Sequence, residues 1–285
     1  MVSHNIFPEV IDVKQRAVVT NFSYKKRIDA MTTISTIAPP DKFETFSEAK
    51  ERRATKIRIL HKGKRPARKL ATKLGKCRKG QRCESGACDV CVGRERLKLY
   101  RETRPIFAAH SDWTRASVIP AGFLIPVGKL STVDLKVIVA RINKRLERSS
   151  LCNRIVIAGI DISLNLQDNV FVGWQLHLYM LIEGENTLRL QEAIKATFPP
   201  EPTAPIPHQF SSVSDPTKAI TYLFKNIFNR RSRYTNANGQ ACTKRLPLKG
   251  SDLRELLPFL DQYPIGARLI LRGIRRNGSR LIVIK

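Results

Sequence analysis

At 285 residues with 42% hydrophobic side chains, the chain is long and apolar enough to bury one sizeable core with a small accessory module, which excludes disorder throughout. Its 51 Lys and Arg against 24 Asp and Glu give a net charge of +27, a self-repelling excess that makes a polyanion, nucleic acid first, the expected partner. No apolar run approaches the length of a membrane span, and residues 1–30 show neither an apolar leader core nor a small-residue cleavage site, so a cytoplasmic protein without a membrane partner is expected.

Residues 1–75 lack a clean period, and Pro39-Pro40 breaks any element, so an irregular basic arm with at most a short helix over 47–58 is expected. A Cys-rich module spans 76–104. Residues 50–104 hold 20 basic and 5 acidic residues, a net +15, so the charge is a footprint rather than an even coat. No apolar stripe of the kind a membrane-surface helix needs runs through 50–76. The basic side chains Lys62, Lys64, Arg65, Arg68 and Lys69, with Lys218, Arg230 and Arg231 further on, are the candidate phosphate contacts, and Tyr100, Trp113 and Tyr179 are candidates for stacking on bases.

An α+β core is expected over 105–230. Residues 117–127, apolar and interrupted by Pro, read as an edge or bulged strand. Ser131 then caps a helix whose Leu135, Ile138, Val139, Ile142 and Leu146 share a face. Two runs of period two, 155–166 and 170–182, read as a hairpin joined by Gln167-Asp168-Asn169. A helix over 186–197, a strand over 205–212, and a helix from the Asp215 cap and Pro216 through 228 complete the order β-α-β-β-α-β-α, a ferredoxin-like split βαβ sheet with one added helix. Residues 231–285 read as a basic extension ending in a hairpin over 267–285, turning at Asn277-Gly278 and carrying Arg268, Arg272, Arg275, Arg276 and Arg280.

Three constellations carry chemistry. Cys77, Cys83, Cys88 and Cys91 lie within fifteen residues, with the C-x2-C pair usual for zinc, and a thiolate tetrahedron stabilises a loop too small for its own core. A redox pair or incidental thiols are the competing reading; His61 and His110 are spare ligands if Cys77 is unused, and Cys152 and Cys242 stand alone. In the second strand of the hairpin, Gln175, His177 and Tyr179 share a face, and a three-residue turn sets Asp161 opposite Gln175. Asp161, Gln175 and His177 then offer a weak site for Mg²⁺ or Mn²⁺; a histidine that packs or touches phosphate is the plainer alternative. On the following helix Lys218, Tyr222, Lys225 and Asn229 share a face. A phenol is a poor nucleophile at neutral pH unless a cation or metal favours the phenolate, and Lys225 is such a cation; an ordinary amphipathic helix with a boundary tyrosine is the alternative.

Trp174-Gln175-Leu176-His177-Leu178-Tyr179-Met180-Leu181-Ile182, then Tyr222-Leu223-Phe224-Lys225, with the upstream cluster ending Cys88-Asp89-Val90-Cys91, resemble the metal-binding strand and nucleophile helix of the HUH endonucleases, rolling-circle replication initiators and related transposases, over roughly 77–230. The strand departs from the family's His-hydrophobic-His in carrying Tyr179, with Gln175 where many relatives have a further histidine. The resemblance implies a Rep-type sheet behind a structural zinc and site-specific nicking of single-stranded DNA. In that chemistry Tyr222 forms a 5′-phosphotyrosine link, Lys225 pairs with the scissile phosphate and His177 holds a divalent ion. An inactive nucleic-acid-binding protein of the same ancestry and an RNA-binding accessory protein are the other two readings.

Overall fold

In the computed structural model, residues 43–284 are described, apart from positions 169, 205, 237, 238 and 279. Residues 1–42 of the expected arm lie outside them. The remainder of that arm is helical. Thr45 caps α1 (Phe46–His61) in a reciprocal box with Glu48, and α2 (Arg65–Gly75) follows after a three-residue turn, with Pro66 in its first turn. The stripe that buries α1 is built from Ala49, Lys56 and Leu60, so a lysine stem does the work of an apolar residue, and α2 buries Ala67, Leu70, Ala71 and Leu74. The cysteine loop runs into α3 (Asp89–Ala108), which Cys88 opens as N-cap.

The fold is α+β around an eight-stranded mixed sheet. The expected strand over 117–127 is two pieces, β1 (Trp113–Val118) and β2 (Leu124–Ile125). The helix after it, α4 (Leu135–Glu147), starts at Asp134, whose carboxylate accepts from the Lys136 N–H at 2.8 Å; Ser131 lies in a preceding 3-10 turn. β3 (Val156–Gln167) and β4 (Val170–Glu183) form the hairpin, α5 (Leu188–Thr197) and β5 (His208–Ser212) follow, and α6 (Pro216–Leu223) opens on the Asp215 cap. Then come β6 (Asn229–Thr235), β7 (Ala241–Pro247), α7 (Gly250–Asp261), β8 (Leu269–Arg272), β9 (Ile274–Asn277) and β10 (Arg280–Val283). The strand order is β5-β1-β4-β3-β6-β7, with the first four strands antiparallel and β6 parallel to β3. β8 pairs with the first part of β3 and β6 with the last part. Among the described residues no helix is long and apolar enough to cross a membrane.

Four expectations need correction. Gln167 pairs directly with Val170, Asp168 holds φ +51, and a bulge beside Asn165 and Leu166 shifts the register, so Asp161 faces His177 and Ser163 faces Gln175. The helix expected to reach 228 stops at Leu223, because the rings of Phe224 and Phe228 close on the buried Arg268 guanidinium, at 4.6 and 5.2 Å, while Asn226 reaches Asp89. Lys225 and Asn229 are therefore not on the helix of Tyr222. The boundary expected at 230 falls inside β6, and 231–285 is sheet and helix rather than an extension. Finally, the terminal hairpin is only β9 and β10; β8 belongs to the main sheet.

One glycine fixes where α6 lies. A Cβ on Gly159 of β3 would stand 1.9 Å from the Leu223 carbonyl oxygen, so only glycine lets the end of α6 rest on the sheet. Gly159 is opposite Tyr179 in the register, and α6 thereby brings the ring of Tyr222 to 4.8 Å from that of Tyr179.

Candidate functional site: a cysteine cluster and a cationic cavity

The cysteine cluster is assembled by a turn and a helix start. After α2 ends, Arg78 and Gln81 exchange backbone hydrogen bonds at 3.1 Å across a turn in which Gly80 holds φ +86, and Cys88 and Cys91 sit at the head of α3. All four Sγ atoms lie within 4.8 Å of one another, with Cys77–Cys91, Cys83–Cys91 and Cys77–Cys88 at 3.6, 3.7 and 3.8 Å, a set that can hold a metal ion. Cys77 is part of it, so neither histidine is needed; His110 pairs instead with Glu183 at 2.7 Å. Cys152 and Cys242 stand apart.

Directly after Cys88, Asp89 is fully buried and gathers cations and a donor. Lys56 Nζ is 2.8 Å away, Arg52 is at 3.6 Å, and Asn226 Nδ2 donates to it at 2.9 Å. Arg96 of α3 also donates to the Thr221 carbonyl at 2.9 Å. The cluster and the segment around Tyr222 are thus tied through α3.

The polar face of the sheet forms the floor of a cavity of about 680 Å³, with α6 along one side. From β1 come Arg115 and Ser117, from β3 Asn165, from β4 His177 and Tyr179, from β5 Gln209 and Ser211, from β6 Arg231 and Arg233, and from β7 Thr243 and Arg245. The α6 side adds Asp215, Lys218 and Tyr222. Five cationic side chains thus face one carboxylate, and Asp215 is already the helix cap, accepting from the Lys218 N–H at 2.9 Å.

Within the cavity the two tyrosines differ. Tyr222 is 38% exposed, and Lys225 Nζ donates to its hydroxyl at 3.3 Å and pairs with Asp161 at 2.7 Å. Tyr179 is buried; burial pushes its phenol up to about 12 against the pull of Arg115, so it keeps its proton. His177 is 4% exposed, and its Nε2 lies 2.7 Å from the Ser163 hydroxyl, which donates onward to Asn165 Oδ1 at 2.9 Å. Burial first, then Arg231, Lys225, Arg233 and Arg245, hold His177 well below its ordinary range, hence neutral.

Of the expected divalent-ion ligands, Asp161 stands opposite His177 in the hairpin register and Gln175 lies two residues before His177 on β4. Asp161 Oδ2 is engaged by Lys225 and His177 Nε2 by Ser163, and the Gln175 amide nitrogen donates to the Leu176 carbonyl at 3.3 Å, while Asp161 Oδ1 and Gln175 Oε1 are buried without a hydrogen-bond partner among the described residues. Among the expected phosphate contacts, Lys62, Lys64, Arg65, Arg68 and Lys69 are exposed around the turn into α2, while Lys218 and Arg231 line the cavity. Arg230 is corrected: strand alternation turns it to the opposite face, where it is buried in a two-point pair with Asp252 at 2.6 and 2.8 Å. Trp113 and Tyr100 are also corrected, since both are core residues, Trp113 stacked on Phe107 at 3.9 Å. Sequence reasoning missed Arg115, Arg233 and Arg245. The signal for the last two was present: period-two runs on either side of Asn236 and Gly239 mark a hairpin.

Comparison with family models, curated proteins and solved structures finds no match to this chain.

Proposed function

We propose that this chain is a single-stranded-DNA-binding protein of the replication-initiator kind, and that Tyr222 cuts the strand it binds. The observation that carries the reading is the partly exposed Tyr222, whose hydroxyl is held by Lys225 at 3.3 Å at the wall of a cavity with five cations. The order β5-β1-β4-β3, in which β4 lies between the parallel strands β1 and β3, supports the ferredoxin-like, HUH-type sheet that the motifs suggest. The reaction is one transesterification. Tyr222 Oη attacks phosphorus, the P–O3′ bond breaks, the 5′ phosphate stays esterified to tyrosine, the phenolic proton leaves to solvent and the 3′ oxygen departs as a hydroxyl after taking up a proton. Lys225 steadies the phenolate, and the arginines and Lys218 bear the phosphate charge.

The metal at the cysteine cluster is read as structural zinc. Thiolates at about 2.3 Å from zinc span tetrahedral edges of about 3.8 Å, close to the three Sγ separations of 3.6 to 3.8 Å. Cys77, Cys83, Cys88 and Cys91 would hold it, and its contribution is to fix the start of α3.

The test is incubation with labelled single-stranded DNA followed by denaturing electrophoresis. The wild type is expected to give a covalent adduct; Tyr222→Phe, which removes one hydroxyl, is expected to give none while binding DNA as before. DNA bound by the wild type without any adduct would leave a binding protein of the same ancestry.

A further inference from the structure

The most unusual feature of the cavity is a pair of like charges placed against each other. Arg231 of β6 and Arg245 of β7 are partners in the antiparallel register, and Arg233 follows on the same face two residues later. Cβ atoms of such partners lie about 4.5–5.5 Å apart, and like charges there are destabilising. Neither Arg231 nor Arg245 has an ion-pair partner among the described residues, and the nearby Asp161 pairs through Oδ2 with Lys225. On the other face of the same strand the opposite arrangement holds, with Arg230 neutralised by Asp252. Chance excess of charge does not explain a strand that neutralises one face and leaves the other bare.

We propose that Arg231 and Arg245, flanked by Arg233, form a receptor for a phosphodiester and fill the place a divalent cation would take, so that binding and cutting at this site need no metal. The inference rests on the reading of the cavity as the DNA site and concerns how that site holds phosphate. An anion between the two guanidiniums relieves their repulsion and meets two planar forks of donors, the geometry that suits phosphate oxygens. Asn165, beside Arg231 in the parallel β3–β6 register, adds an uncharged polar group. A dication in the same space would face Lys225, Arg231, Arg233 and Arg245 against the single carboxylate of Asp161, whose Oδ2 is already paired with Lys225 and whose Oδ1 alone is without a partner among the described residues, so repulsion outweighs the one anionic ligand.

The experiment measures binding of octathymidylate, by fluorescence anisotropy on the full chain, in EDTA and in MnCl₂, for the wild type and for Arg231→Gln/Arg245→Gln. Wild-type affinity is expected to be the same in EDTA and MnCl₂. The double variant is expected to bind about a hundredfold more weakly, roughly tenfold for each charge-assisted contact, with a salt slope shallower by about 1.4 for two phosphates. Melting of the ligand-free proteins keeps the test decisive: the double variant should melt higher than the wild type, because it loses the repulsion. A variant that melts well below the wild type would make the arginines structural and overturn the inference. Binding strengthened about tenfold or more by Mn²⁺, with the arginine variant unchanged, would overturn it while leaving the DNA site standing. Octathymidylate binding to neither protein would remove both.

Discussion

Gly159→Ala is the sharpest perturbation of the candidate site, because it adds one methyl group at the contact that seats α6. The new Cβ would fall 1.9 Å from the Leu223 carbonyl oxygen and 3.0 Å from its carbon. Ordinary carbon contacts lie near about 3.5 Å, so the end of α6 must withdraw by about 1 Å or more. Leu223 is flanked by Tyr222 and, two residues on, by Lys225, so this shift acts on the 3.3 Å contact between them and on the 2.7 Å contact of Lys225 with Asp161. Overpacking of this kind costs about 1–3 kcal/mol, which for a domain of this size lowers Tm by about 2–12 °C. A misplacement of about 1 Å at a reacting group costs about a hundredfold in rate. The assay pairs thermal melting with the rate of covalent adduct formation, and Gly75→Ala, whose Cβ meets nothing within 4 Å, serves as control with a stability change inside about 0.5 kcal/mol. Octathymidylate affinity should change much less than the rate, since Arg231 and Arg245 lie on strands that do not carry α6. Wild-type Tm and wild-type adduct rate in Gly159→Ala would refute the argument that this glycine positions Tyr222.

Elemental analysis should find about one zinc per chain, and a chelator should lower Tm, because binding energy at such a site is folding energy. Cys88→Ser should prevent reloading; zinc kept at full stoichiometry in that variant would refute the ligand assignment. A separate effect concerns Glu102, a buried carboxyl paired with Arg276 at 3.1 Å, which burial pushes up to about 7 despite the pull of Arg276 and Lys98. Its folded value is raised, so the stability it contributes is fully present below the ordinary glutamate range and is lost as pH rises through about 7. Glu102→Gln should therefore flatten the fall of Tm between about pH 5 and about pH 8; an unchanged pH profile would show that this carboxyl does not govern it.

The two-residue period of the β3–β4 hairpin made the central strands readable to within about a residue at each end, because both strands are long and one face is apolar throughout. Their register was not readable, since it depends on a bulge and a left-handed Asp168 that leave no periodic mark. Only 47–58 of α1 was readable, because a charged side chain takes an apolar position in its buried stripe: Lys56 is 8% exposed, its ammonium turned to Asp89; the short α2 was missed although it buries Ala67, Leu70, Ala71 and Leu74. The end of α6 was hidden for a related reason. Residues 224–228 continue a helical pattern, and only the distant Arg268, which donates to the Ile160 carbonyl at 2.9 Å, gives their aromatic rings a better arrangement. The cysteine cluster was the most legible constellation, its ligands being local in sequence.

Net charge made nucleic acid the expected partner but could not say which cations would meet it, and strand alternation makes that distinction. Neighbouring residues Arg230 and Arg231 have opposite fates on β6: one is locked to Asp252, the other opens on the cavity beside Arg245. The same economy of charge ties the metal cluster to the tyrosine. Asp89, which follows a cluster cysteine, takes up Lys56 and Arg52 and holds Asn226, the residue after Lys225. Arg96, further along the same helix, holds the carbonyl before Tyr222. A metal on the four thiols would fix the start of α3 and with it Asp89 and Arg96, which hold the segment around Tyr222 and Lys225, although the cluster lines no part of the cavity. On the proposed reading, a structural ion would govern the geometry of a site whose phosphate is met by the arginines and Lys218.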